Sequence, residues 1–141
     1  MRQEILALAR HRLARAHEAM ADGEILLAQG SLNSAANRFY YAAFYAARAL
    51  LANKEVDSSR HSGVIALFQK HFVKPGTIDT QIAKALPRAF EKRQASDYGD
   101  FAVLTKAEVE RMHLESHAFV DVCAEVLRHL ASAPDEPGQQ A

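Results

Sequence analysis

The stretch SLNSAANRFYYAAFYAARALLA, residues Ser31 to Ala52, decides the fold. Leu32, Ala36, Phe39, Ala43, Ala46 and Leu50 recur every three or four residues, which puts them on one stripe of an α-helix flanked by Tyr40, Phe44, Ala47 and Leu51. A helix that is apolar nearly all round belongs at the centre of a bundle, and its many alanines let neighbouring helices come close.

Upstream, Leu6, Ala9, Leu13, Ala16, Met20, Gly23 and Leu27 form a similar stripe and predict a first helix from about the N-terminus to Gln29. Gly30 suits its C-terminus, and Ser31 is a competent N-cap for the central helix, so the two should make a tight hairpin. Downstream, Asn53 to Ser59 reads as a loop, with Ser58 or Ser59 capping a third helix that runs to about Phe72 and buries Val64, Leu67 and Phe68. Lys74-Pro75-Gly76 marks a turn. A fourth helix begins near Ile78 and uses Ile82, Ala85, Leu86, Ala89 and Phe90. Pro87 removes one backbone donor inside that pattern and predicts a kink or break near Ala83 to Leu86. Thr105-Lys106-Ala107-Glu108 is a capping box that opens a fifth helix, with Val109, Met112, Ser116, Phe119, Cys123, Val126 and Leu130 on its stripe, to about Ala131. The expectation is an all-α, up-and-down bundle of about five helices, three long and two short, over residues 1–132. Residues 133–141, a polar Pro/Gly/Gln segment, should be a mobile tail.

A chain of 141 residues, 49% hydrophobic and 24% charged, can bury one core without a metal or a disulfide. The lone Cys123 allows no internal bridge, and no secretory signal or long uncharged apolar run is visible, so a cytoplasmic protein without a membrane span is expected. The net charge of zero hides an asymmetry: Arg38 to Arg93 carries 10 basic and 4 acidic residues, and the remainder to Ala141 carries 3 and 9. Neutralisation of the one by the other inside the fold is the simplest consequence, although a basic segment can also face phosphate.

Phosphate-binding glycine loops, the GxSxG elbow, CxxC pairs and GxGxxG are all missing, so no cofactor is expected. His113 and His117 stand four apart, but the acid between them, Glu115, falls at the wrong place for a zinc-protease helix. The pair reads as solvent-facing, with no metal. Cys123 lies on an apolar stripe and reads as core.

Two clusters exceed what a plain bundle needs. In the first, Arg38, Tyr41 and Tyr45 share a helical face. They make either a structural strut, with the guanidinium stacked on tyrosine and bonded to a carboxylate, or an anion or nucleotide site. In the second, Arg93-Gln94-Ala95-Ser96-Asp97-Tyr98, an arginine, an acid and a phenol gather at the end of the fourth helix. Arg93 suits a phosphate, whereas Asp97 can pair with Arg38 or Arg93 and lock the bundle.

Here the sequence resembles the HEPN domain superfamily of helical proteins, in particular a prokaryotic subfamily of small members. The matching text is Ala36-Asn37-Arg38-Phe39-Tyr40-Tyr41-Ala42-Ala43-Phe44, then His61-Ser62-Gly63-Val64-Ile65, Phe72-Val73-Lys74 and Arg93-Gln94-Ala95-Ser96-Asp97-Tyr98. The resemblance implies a homodimeric bundle, often paired with a minimal nucleotidyltransferase in a toxin–antitoxin system. In one branch of the superfamily it implies a metal-independent ribonuclease whose arginine is followed, four to six residues later, by a histidine. Such an arginine would stabilise phosphorane charge while the histidine moves a proton. This chain departs from that motif: the fifth residue after Arg93 is Tyr98, followed by Gly99 and Asp100. Tyrosine, with a reference pKa of about 10, is a poor base at neutral pH. Asp100 also stands where related toxins carry a tyrosine that receives AMP. His61 is the candidate substitute, or else only a residue at a helix start. The resulting expectations are three. The first is a binding module whose Arg38, Tyr41, Tyr45, Arg93, Asp97 and Tyr98 meet RNA, a nucleotide or a nucleotidyltransferase. The second is a ribonuclease using Arg93 with Asp97, Tyr98 or His61. The third is a structural dimer with these groups as a buried lock.

Overall fold

A computed structural model describes residues 1–98 and 103–133, with Tyr98 given by its backbone alone. Its helices are α1 (Gln3–Ala28), α2 (Leu32–Asn53), α3 (His61–Phe68), α4 (Thr80–Ala83), α5 (Ala85–Tyr98) and α6 (Lys106–Ser132), and no strand occurs among the described residues. Long helices α1, α2 and α6 make the scaffold of the up-and-down bundle, and α3 and α5 pack against α2. Thirteen of the 22 residues of α2 are buried, eight of them alanines, which makes it the central helix.

Local chemistry explains most boundaries. Gly30 takes φ +79°, a left-handed conformation that an L side chain resists. It closes α1 with paired bonds, Gly30 N–H to the Leu27 carbonyl and Ser31 N–H to that of Leu26. Ser31 spends its backbone on that closure and its hydroxyl caps nothing, contrary to the sequence expectation. Neither serine caps α3: Arg60 occupies the N-cap position without a side-chain bond, and Ser58 Oγ instead accepts the Arg60 N–H at 3.2 Å. Ser58 lies against Gly63, where an added Cβ would come within 2.0 Å of its Oγ. The α-helical part of α3 ends at Phe68 and continues as a π-helical turn over Gln69–Val73.

The break expected from Pro87 separates α4 from α5 at Lys84, since Pro87 has no N–H for the carbonyl four residues before it. Asp79 caps α4 through the backbone N–H of Gln81 and Ile82. The Thr105–Glu108 capping box is present. Glu108 also bonds Lys92 at 2.7 Å, and that bond, followed by those from Thr105, lowers its carboxyl to about 2. With Arg88 on Glu115 at 3.0 Å, the basic face of α5 is neutralised by acidic α6, as the charge asymmetry suggested. Cys123 is fully buried and its thiol is pushed up by burial. Of the tail expected from Ala133 onward, residues 134–141 lie outside the described residues.

Gly23 sets the spacing of α1 and α2. A Cβ there would stand 2.6 and 2.8 Å from the Phe39 ring, which has no exposed surface through which to move away. Gly23→Ala gains about 1 kcal/mol of helix propensity, but overpacking costs about 1–3 kcal/mol. A net loss is expected in urea unfolding; a variant more stable than wild type would show that the ring can yield.

Candidate functional site

Burial of α2 leaves one partly exposed stripe along it, Asn37, Arg38, Tyr41, Tyr45 and Arg48. Arg38 stacks over the Tyr41 ring at 5.1 Å. Its Nε and Nη2 bond Asn37 Oδ1 at 3.2 and 2.9 Å, so its partner is an amide and not the carboxylate that a strut would use. Tyr45 shares the face and packs on Tyr41 at 5.8 Å, yet its hydroxyl accepts from Arg15 of α1 at 3.0 Å.

The fourth-helix cluster reaches the same place. Arg93 of α5 lies over Tyr40 at 5.5 Å and over Tyr41 at 5.3 Å, so Tyr41 meets two guanidiniums. Arg93 Nε is 2.9 Å from Asp97 Oδ2, but its N–H is not aimed at an acceptor and the atom is buried. The contact is therefore an ion pair without a directed hydrogen bond. Among the described residues, no acceptor is bonded to any of the N–H groups of this guanidinium. That is unusual for a side chain only 17% exposed. Asp97 and Arg38 also line one hollow of about 330 Å³ with Leu26, Asn33, Ser34 and Asn37. Of the remaining sequence candidates, the side chain of Tyr98 and all of Gly99 and Asp100 lie outside the described residues.

His61 joins this cluster from the start of α3. Its ring stacks on Phe44 at 4.5 Å and on Tyr40 at 5.6 Å, and its Nδ1 is 2.6 Å from the Tyr40 hydroxyl. Burial first, moderated by Arg93, holds Tyr40 well above the usual phenol range, so it is a neutral O–H donor. With His61 as its bonding partner, Tyr40 donates to Nδ1, and the ring proton of His61 resides on Nε2. Burial, then the charges of Arg93 and Arg48, lower the His61 pKa and keep the ring neutral. Near pH 7 the group thus offers an N–H from a ring that shares Tyr40 and Tyr41 with the Arg93 guanidinium. That arrangement suits binding an anion and does not supply a base.

The loop carrying His61 is pinned by Asp57. Its carboxylate accepts from Arg48 at 2.7 Å and from Arg12 at 3.3 Å, while Arg12 also bonds the Arg48 carbonyl. Burial alone would raise the Asp57 pKa; the bonds from Arg48 and the Ser58 N–H, with both arginine charges, outweigh it and hold the group below its ordinary value. Sequence reasoning treated Tyr40 only as a core residue and passed over Arg15 and the Arg12–Asp57–Arg48 clamp. A usable signal existed for Tyr40, because a phenol in a buried helix face requires a polar partner. The clamp spans three segments and left no local pattern.

Of the pair expected to face solvent, His117 does so and pairs with the exposed Asp121, whereas His113 is half-buried, packs on Phe39 at 5.0 Å and bonds Glu24 of α1 at 2.9 Å. Among the described residues no group of three or more metal-ligating side chains converges. Nor is any described helix long and apolar enough to cross a membrane.

A model of the HEPN domain matches residues 9–127. A UPF0332 protein of Thermotoga maritima is 37% identical over 84% of this chain and 90% of its own length. Two candidate toxins of Methanocaldococcus jannaschii are also similar. One is 31% identical over 92% of this chain and 93% of its own length; the other is 30% identical over 77% and 74%.

The lowered pKa of His61 has a signed consequence for stability. The ordinary value is 6.5, so stability from this group is complete above that pH and is lost as pH falls through the lower folded value. Between about pH 7.5 and about pH 5, wild type should lose more stability than His61→Asn, which keeps an acceptor for Tyr40 but does not titrate. Urea unfolding at both pH values measures this, and equal losses would mean that His61 is not held neutral by the fold.

Proposed function

Given that the chain belongs to the HEPN domain family, we propose that it is the HEPN module of a toxin–antitoxin-type pair and binds nucleotide or RNA on the Arg93–His61–Tyr41–Arg38 face. One observation carries this reading: the Arg93 guanidinium lies across the Tyr40 and Tyr41 rings, which the neutral His61 ring also contacts, with no hydrogen-bond acceptor among the described residues. Planar guanidinium forks match phosphate oxygens, and the partly exposed Tyr41 and Tyr45 rings suit stacking against bases. The candidate toxins among its relatives support the toxin-type setting. A homodimer, and a minimal nucleotidyltransferase as the second protein of the pair, follow from the HEPN resemblance. A single buried, unpaired cysteine accords with the cytoplasm as the compartment.

A second reading is a metal-independent ribonuclease, and it is favoured by the approach of His61 to Arg93 through their shared contacts with Tyr40 and Tyr41. It requires the other His61 tautomer, with the ring proton on Nδ1 and Nε2 free as the base, which means that Tyr40 must turn its O–H away and accept from Nδ1 instead. The binding reading needs no such step.

Arg93→Ala separates these readings. It should weaken binding of single-stranded RNA by about tenfold or more, since hydrogen bonds to charged groups contribute about 1.5–3 kcal/mol. Thermal stability should change little, because a partly exposed ion pair contributes about 0–1 kcal/mol. Filter binding and calorimetry test both. RNA cleavage in EDTA that Arg93→Ala abolishes would establish the second reading instead. A variant that unfolds, with a wild type that binds neither RNA nor nucleotide, would leave only a structural lock.

A further inference from the structure

Beside the phosphate-binding face, and resting on that reading of it, we propose a guanine-reading subsite: the hollow where Asp97 of α5 faces Asn37 and Arg38 of α2. Its volume of about 330 Å³ falls within the range of small-molecule sites, about 300–1,000 Å³. Leu26 supplies an apolar wall, and the polar groups around it are unlike one another in a way that selects a base.

Asp97 is an acceptor. Its Oδ2 stands by Arg93, and the carboxylate retains further lone pairs. Asn37 is a donor here, because Arg38, which can only donate, occupies its Oδ1 through two N–H groups and leaves the amide NH₂ turned away. Ser34 adds a hydroxyl that can act either way. The hollow therefore brings together a carboxylate, an amide donor and a guanidinium. Guanine presents two adjacent donors, N1–H and N2–H₂, with the O6 acceptor alongside. Adenine and cytosine set one amino donor beside a ring acceptor, and uracil sets a single N–H between two carbonyls. Only guanine fills both oxygens of a carboxylate while offering O6 to an amide or guanidinium donor.

The phosphate of such a nucleotide has a place to go. Arg38 belongs to the hollow and also stacks on Tyr41, and Arg93 contacts both Asp97 and Tyr41, so the base subsite opens directly onto the cationic face. Two guanidiniums against one carboxylate leave a net positive site, and Asp97 does not cancel the attraction for phosphate.

The test measures dissociation constants of the whole chain for GMP, AMP, CMP and UMP, and for trinucleotides with and without guanosine. GMP should bind about tenfold or more tightly than the other three, in line with the discrimination of a good bidentate pair. Asp97→Asn should erase that preference and move it towards adenine, since an amide offers one donor and one acceptor. A guanosine-containing trinucleotide that binds more tightly than GMP identifies single-stranded RNA as the source of the base; equal affinity identifies the free nucleotide. Equal binding of the four mononucleotides, or a guanosine preference that survives Asp97→Asn, overturns the subsite while leaving the phosphate-binding reading intact. A uniform weakening for all nucleotides in Asp97→Asn, with lowered thermal stability, also overturns it, because Asp97 would then only support Arg93. A wild type that binds none of these probes overturns both proposals. If Asp97→Asn does not fold, Asn37→Ala leaves the ion pair in place and must lower the guanosine preference on its own.

Discussion

The burial of α2 constrains everything else in this protein. A helix enclosed by α1, α3, α5 and α6 has only one narrow stripe on which polar side chains can stand without being sealed in, and its residues fall at Asn37, Arg38, Tyr41, Tyr45 and Arg48. Alanines elsewhere on α2, and Gly23 on α1, bring the surrounding helices close and leave that stripe as the partly exposed side of α2. The same packing that stabilises the bundle by removing apolar surface from water thereby decides where the polar groups of α2 meet solvent.

Tyr40 links the core to that stripe. Its ring is wholly buried with Phe39 and Leu50, yet its hydroxyl reaches His61 and its face meets Arg93. One side chain thus joins the central helix to the first turn of α3 and to the middle of α5. The Asp57 clamp and the contact of Ser58 with Gly63 hold the intervening loop, so His61 is placed from both directions. Where His61 packs on Tyr40 and Phe44, burial and the charges of Arg93 and Arg48 make imidazolium unfavourable and leave a neutral donor.

How much of this was legible in the chain depends on how local the cause is. The helices followed from periodicity, the α4–α5 break from Pro87 and the start of α6 from its capping box, because each cause acts within a few residues. The caps assigned to Ser31 and to Ser58 or Ser59 are not made: the Ser31 hydroxyl bonds no helix N–H, and Ser58 Oγ accepts the Arg60 N–H while lying against Gly63, an arrangement that residue type alone does not reveal. In the candidate site, the shared face of Arg38, Tyr41 and Tyr45 was readable from spacing on a single helix. Arg93 and His61, 32 residues apart in sequence, could be paired as candidates, but not the group that both contact, because it is a tyrosine hidden in a hydrophobic pattern.

Charge matching shows why Arg93 differs from its neighbours on α5. Arg88 and Lys92 are answered by Glu115 and Glu108 of α6, which closes that side of the helix with complementary charge. Arg93, one residue beyond Lys92, is turned by about 100° and faces the tyrosines of α2. There its neighbours are two aromatic rings, which His61 also contacts, and an exposed carboxylate that it touches without a directed bond. A helix that served only to hold the bundle together would gain from matching this residue as it matches the other two. Leaving a guanidinium poorly satisfied beside a hollow has a cost in folding free energy, and an incoming anion is the kind of partner that would offset it.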